Sequence, residues 1–479
     1  MKPVRLRPVK TRGIICVCVL VALFASFSAY HLWDLLKIGT AYKAKILCSG
    51  VFVSKRSSDA VLSEDLMVSD LAALKWIDAH VNYRSQSVSA DFFGLARARA
   101  IYRPGLGCTL VAGTDEQRLK SHVLPLPVPR EVREKTLLWP EGEGTDPKSV
   151  LPEKTLERLH SILKYAFMEP GPVPVRRTRA VVIVYKGRIV AEQYAPGFYR
   201  DTPMPGWSMT GAMTNALAGI LVKQGRLSTD QCNLLLEWRG HGDLRSKITV
   251  DNLMRMSSGL QFDEDYSDPQ NDLSYMLFRT GNAAAYAVGK RLEYKPGTMW
   301  HFSSGSLVIL SRIFKDAIHG TEDDYLTFPQ RALFRPLGMS TAVIEPDAAG
   351  TFLASSFGYA SARDWARLGL LFMRDGVWNG RRIFPKGWIR YSTTPTPGSP
   401  HSKYGACFWL CIPDSYTSPV SRGLALPDDC FYAVGQNGQF IVIIPSKKLV
   451  IVRLGLTRKS CVWDQRLFTA DIVDAISSD

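Results

Sequence analysis

Gly206-Trp207-Ser208-Met209-Thr210-Gly211-Ala212-Met213 opens an apolar-periodic run that ends near Gly225-Arg226-Leu227, and the reading of this stretch decides the fold. A serine on the first turn of a helix lies among free backbone N–H groups at the positive end of the helix dipole, where developing negative charge is favoured. Ser208 is therefore the candidate nucleophile. The competing reading makes it simply the N-cap of a buried helix, a role that serine favours on its own account.

Upstream, the apolar run at 180–185, the turn Lys186-Gly187-Arg188 and the run at 189–192 predict a β-hairpin. Downstream, the runs at 440–444 and 449–454, joined by Pro445-Ser446-Lys447-Lys448, predict two more strands. Strands at both ends of a helical stretch imply an antiparallel sheet assembled from distant parts of the chain, with a helical domain on one side.

The amino terminus carries a different signal. Five basic residues (Lys2, Arg5, Arg7, Lys10, Arg12) precede an uncharged apolar run from Gly13 to Trp33. As a helix this run spans about 30 Å, enough for a bilayer core. The basic leader predicts a cytoplasmic N-terminus with the main domain outside, periplasmic or otherwise extracytoplasmic. A cleaved signal peptide is the alternative, with Ser26-Phe27-Ser28 at cleavage-like spacing. The formal net charge of +15 includes this leader, and no aromatic-interleaved basic stripe points to nucleic acid.

Of nine cysteines, Cys16 and Cys18 lie in the apolar run, and the other seven are an odd number. No Cys-x-x-Cys or His cluster has metal-ligand spacing, so neither metal nor cofactor is expected. Alternating apolar segments at 45–53 and 107–111, around an amphipathic helix candidate at 62–80, suggest a small subdomain. Proline, glycine and charge between 124 and 152 read as an extended linker. The predicted organisation is leader and anchor at 1–36, N-terminal subdomain at 37–123, linker at 124–155 and main domain at 156–479.

Five longer motifs carry a family resemblance. They are Gly206-Trp207-Ser208-Met209-Thr210, Leu253-Met254-Arg255-Met256-Ser257-Ser258-Gly259-Leu260, Pro296-Gly297-Thr298-Met299-Trp300-His301-Phe302-Ser303-Ser304-Gly305, Ala362-Arg363-Asp364-Trp365-Ala366-Arg367-Leu368-Gly369 and Gly435-Gln436-Asn437-Gly438-Gln439. In these motifs and their order the chain resembles the serine β-lactamase-related hydrolases, the group of class C β-lactamases, penicillin-binding esterases and nylon-oligomer hydrolases. The resemblance implies an α/β (α+β) fold of β-lactamase/transpeptidase type, an antiparallel sheet flanked by helices plus a helical domain, behind an N-terminal transmembrane helix. It also implies a Cys48–Cys108 disulfide, and leaves the pairing of Cys232, Cys407, Cys411, Cys430 and Cys461 open.

In that family a serine attacks a carbonyl, lysine and tyrosine move its proton, and backbone N–H groups hold the oxyanion. The lysine stands three residues after the serine; here that position is Gly211. The second motif normally carries a tyrosine where this chain has Phe302, followed by Ser303-Ser304. The third carries lysine or histidine where this chain has Gln436-Asn437-Gly438. All three departures remove a titratable group. The resemblance further gives Ser208 and Gln439 as oxyanion donors, and Ser303, Ser304, Asn437 and Gly438 as polar wall.

Substitute bases are scarce in the sequence. His301 is expected to point away from where Phe302 points, as neighbours in an extended segment do. Lys223 lies about four helical turns beyond Ser208. Arg363 and Asp364 are expected to be an ion pair or cap, and Trp207 and Trp300 core packing. The leading expectation is a membrane-anchored, catalytically impaired member acting by binding a small ester, amide or peptide ligand or a protein partner, not nucleic acid. An active serine esterase or amidase with an unusual base, and a structural envelope protein, are the alternatives.

Overall fold

The computed structural model describes residues 9–67, 69–121, 124, 137–173, 175–458 and 462–477. The chain begins with helix α1 (Val9–Cys48), followed by strands β1 (Asp78–Asn82), β2 (Ser87–Phe92), β3 (Leu95–Arg103) and β4 (Gly107–Leu110). After helix α2 (Glu153–Phe167) come the hairpin strands β5 (Thr178–Tyr185) and β6 (Arg188–Tyr194), then helices α3 (Thr210–Lys223), α4 (Ser304–Ile318) and α5 (Ala362–Met373). Strands β7 (Phe431–Gly435), β8 (Gln439–Ile444) and β9 (Leu449–Gly455) and helix α6 (Gln465–Ser477) close it.

The main sheet runs β7-β8-β9-β5-β6, antiparallel throughout, so β5 near the start of the domain pairs with β9 near its end. Side chains alternate between its faces, as the strand period requires. Val181 and Ile183 face α2 and α6, among Leu159, Leu163, Phe468 and Ile472. Ala180, Val182 and Val184 face the larger core toward α3 and α5. On that side Gly369 lets α5 approach closely, because a Cβ there would lie 2.7 Å from Val450 and 2.8 Å from Ile441.

Three expectations change. The segment 45–53, expected as an alternating apolar segment of a small subdomain, is helical: α1 runs unbroken to Cys48 and continues as a π turn to Val53. Its apolar residues look continuous because the helix is buried between the β1–β4 sheet and the body. Thr40 Oγ1, for example, donates to the Ala96 carbonyl at 2.6 Å. The helix candidate at 62–80 resolves into short π and 3-10 turns and then β1, held by Lys43, whose ammonium donates to the carbonyls of Leu74 and Ile77. In the expected linker, residues 125–136 lie outside the described residues, but from 137 on the chain is packed. Trp139 is buried, and the Glu143 carboxylate satisfies Arg363 and Arg367.

Cys48 and Cys108 are bonded, and Cys232, Cys407, Cys411 and Cys430 are free thiols; Cys461 lies outside the described residues. The bridge closes a separation of 60 residues. On the chain-entropy account, replacing both cysteines by serine is expected to cost about 4 kcal/mol, read as a lowered urea midpoint. An unchanged midpoint would show that residual structure already restrains this loop in the unfolded chain.

Candidate functional site

Ser208 occupies a single 3-10 turn, Trp207–Met209, directly before α3. The cap positions fall on Gly206 and Met209, neither with a side-chain capping bond, so Ser208 is not an N-cap. Trp207 has φ +49°, a left-handed conformation that a bulky residue adopts only under constraint. The constraint is contact on two sides. A Cβ on Gly206 would lie 2.6 Å from the Trp365 ring, and one on Gly435, at the end of β7, would lie 2.0 Å from the Gly206 carbonyl.

Ser208 lines an open cavity of about 800 Å³ with Glu264, Tyr266, Trp300, His301, Phe302, Trp409, Tyr416, Gln436 and Asn437. One wall is aromatic. Phe302 stacks on Trp409 with ring centroids 6.4 Å apart and planes at 19°, and Trp300 meets Trp409 edge-on at 6.1 Å. Trp300 is thus a pocket residue and not only core packing.

Each altered motif position has a definite place. Gly211 is buried on the first turn of α3, where a Cβ would meet Leu307 Cδ1 at 3.2 Å and Cys407 Cβ at 3.8 Å. The space at the root of the family's lysine is filled by hydrocarbon and a thiol-bearing side chain. Burial pushes the Cys407 thiol well above its ordinary range, so it stays protonated. Gln436 is exposed at the rim, whereas Asn437 is buried at φ +63° with its carbonyl accepting from Thr457 N–H at 2.9 Å.

Most of the expected polar wall is committed elsewhere. Ser303 caps α4 by accepting from Ser306 N–H at 3.2 Å. Gly438 N–H donates to the Tyr416 hydroxyl at 3.1 Å. The Gln439 side chain donates to the carbonyls of Gln436, Asn437 and Gly455 and accepts from Gly455 N–H, which locks the β7–β8 turn. Ser304 binds Glu264, through its N–H to Oε2 and its hydroxyl to Oε1, both at 2.8 Å. Arg363 and Asp364 are structural, bonded to Glu192 and Glu143 and to Thr341 and Arg367 respectively. The Lys223 ammonium donates to the Arg382 carbonyl at the far end of α3.

The residues missed in the sequence are Glu264 and Tyr266. The Tyr266 hydroxyl donates to Glu264 Oε1 at 3.0 Å, and both residues line the cavity with Ser208. Glu264 thus sits on the N-terminus of α4, in the same cavity as the serine. Desolvation pushes its carboxyl above the ordinary carboxylate range, and the Ser304 and Tyr266 donors and the nearby His301 only partly oppose this. His301 is exposed at the rim with Nε2 2.8 Å from the Phe262 carbonyl. The available signal was the run Asp263-Glu264-Asp265-Tyr266, separated by two residues from Ser258-Gly259-Leu260, but nothing local aims it at Ser208.

Residues 174–459 match the model of the family described as Beta-lactamase. The 6-aminohexanoate-dimer hydrolase of Paenarthrobacter ureafaciens is 24% identical over 293 residues, covering 58% of this chain and 72% of that protein. Among solved structures, a novel penicillin-binding protein homologue from Caulobacter crescentus superposes with a TM-score of 0.51 at 17% identity, over 69% of this chain and 98% of that one. EstCE1, a hydrolase with promiscuous acyltransferase activity, gives a TM-score of 0.51 at 14% identity, over 67% and 98%. At these identities the structural likeness speaks to the fold alone.

Proposed function

The chain belongs to the Beta-lactamase family, and from that membership we propose that it is a membrane-anchored member, impaired in acyl transfer, that works by binding an ester, amide or peptide ligand in the cavity over Ser208. One observation carries the impairment: at Gly211 the root of the lysine's space is filled by Leu307 and Cys407. No amine stands one turn beyond the serine to take its proton, and loss of a general base costs roughly 10² to 10⁴ in rate. Binding is supported by the open aromatic wall of Trp300, Phe302 and Trp409 facing the polar Asn437 and Ser208, a combination suited to an amphipathic ligand. This open wall also argues against a purely structural envelope role.

Two observations support an anchor with the body outside the cytoplasm. The helix over 15–33 is apolar, long enough to cross a bilayer and largely exposed. The Cys48–Cys108 disulfide suits an oxidising compartment.

A second reading is favoured by the hydrogen-bonded pair Tyr266–Glu264, which lines the cavity with Ser208. In it, the Ser208 proton passes to the Tyr266 oxygen as the Tyr266 proton passes to the Glu264 carboxylate, and Ser208 Oγ attacks the ligand carbonyl. Glu264 must be ionised to accept, and its pKa is raised, so such turnover would rise with pH through that elevated value and level off above it.

One experiment separates the two readings. Native protein, Ser208→Ala and Glu264→Gln are compared on a nitrophenyl ester and a fluorophosphonate probe. The expected result is native turnover barely above background and unchanged in both variants. Fluorophosphonate labelling of Ser208, with turnover lost in Ser208→Ala and in Glu264→Gln, would replace the first reading by the second.

A further inference from the structure

We propose that the tip of the β2–β3 hairpin, Phe92-Phe93-Gly94-Leu95, enters the headgroup region of the bilayer beside α1, so that the body stands on the membrane at fixed height. The proposal rests on reading α1 as a membrane anchor.

Its first support is where the body begins along that helix. Residues 15–30 of α1 are exposed, and contacts with the body start at His31, whose carbonyl accepts from the Gln270 amide at 3.2 Å. Asp34 pairs with Arg279 at 2.7 Å. The helix is continuous from Val9 to Cys48, so no hinge separates the apolar span from the buried half.

The second support is the direction and length of the hairpin. Near its C-terminal end, β3 lies beside the disulfide, with Tyr102 paired to Cys108. Near its start, Ala96 accepts from Thr40, eight residues before Cys48. The strand and α1 therefore run the same way, and the residues before Ala96 point back toward the apolar span. Phe93 and Gly94 form the turn beyond the paired Phe92 and Leu95, so the tip extends past Ala96 by one strand residue and the turn. Trp33 lies seven residues before Thr40, about 10 Å at the rise of a helix. The tip lies on the Trp33 side of Thr40.

The chemistry on that side suits a lipid surface. Phe93 is 69% and Leu95 57% exposed, and Trp33 on α1 is 41% exposed. Lys37 lies over the Trp33 ring at 5.3 Å, and Arg97 is exposed next to Gly94. Apolar side chains flanked by tryptophan, lysine and arginine are the composition of a membrane interface, where the basic groups meet anionic headgroups. Asp34 is paired with Arg279 and Asp91 accepts from the Gly94 N–H, while Asp78, opposite Asp91 on β1, is exposed. The tip is also held in a conformation that bulky residues rarely adopt, with φ +49° at Phe93 and +48° at Ala96 around Gly94. That turn directs two large apolar side chains outward.

Such docking would also set the position of the cavity. The loop that carries Glu264 and Tyr266 reaches α1 through Gln270 and His31, at the end of the exposed span. The proposed ligand would then be met close to the membrane surface.

The test uses the full chain in vesicles of equal parts phosphatidylcholine and phosphatidylglycerol, doped with a phospholipid bearing a photoactivatable group near its glycerol. Lipid adducts are expected on the peptide spanning 91–97 as well as on the α1 span. In the Phe93→Ser, Leu95→Ser variant, adducts on 91–97 should be lost while those on the span remain. A labelled span with an unlabelled 91–97 peptide in the native protein overturns the proposal and leaves the anchor standing. Adducts on neither overturn the anchor reading, and the proposal with it. Cross-links from the tip to a second copy of the chain instead of to lipid would also overturn it.

Discussion

The variant carrying Gly211→Lys, Phe302→Tyr and Gln436→His together is expected to hydrolyse a nitrophenyl ester roughly 10² to 10⁴ faster than the native protein, with the gain abolished by a further Ser208→Ala change. Groups that act as a catalytic unit are not additive, so single restorations should do little. The structure adds a condition. A Cβ at position 211 stands 3.2 Å from Leu307 Cδ1, so Leu307 must move by a few tenths of an ångström before a lysine fits. Gly211→Lys alone is therefore expected to lower stability by about 1–3 kcal/mol through overpacking, although lysine is the better helix former. A folded but inert triple variant would mean that the cavity itself has lost the geometry for acyl transfer. A native protein already turning over fast would mean that Tyr266 and Glu264, or another group, supply the missing base.

Glu345→Ala is expected to cost about 3–5 kcal/mol, the largest stability effect of any single change considered. Glu345 and Lys45 are an ion pair whose side chains are 0% and 1% exposed, joining α1 to the body. Ser49 Oγ and Cys108 N–H also donate to Glu345, at 2.9 and 2.6 Å. Burial drives the Lys45 amine down and the Glu345 carboxyl up in pKa, while their mutual attraction opposes both shifts. Removing the carboxylate alone strands a buried cation. The paired change Lys45→Met, Glu345→Leu should be far milder than Glu345→Ala, because it removes both charges together. Denaturant midpoints of the two variants check this, and equal losses in both would show that packing, not the orphaned charge, dominates.

The sequence by itself determined the sheet, the family and the altered motif positions. Apolar runs of strand length around a glycine turn specify β5 and β6 because strand pairing and a tight turn are local demands on residue type. Gly211 could be read as a missing amine because a helix puts residues three apart on one face, so spacing alone placed it one turn beyond Ser208. The course of α1 was not legible beyond Trp33. A helix buried on all sides has no polar face, and without one the run at 45–53 has the apolar look of a strand.

Only the tertiary structure decided which polar groups meet. Lys45 finds Glu345 across 300 residues, Glu264 reaches the start of α4 at Ser304 from another loop, and the Gln439 side chain is spent on its own turn. The physical reason is common to all three. A polar group taken out of water must be satisfied by whatever the fold brings within hydrogen-bonding distance. That neighbour is set by the packing of distant segments, for which the local order of residues carries no signal.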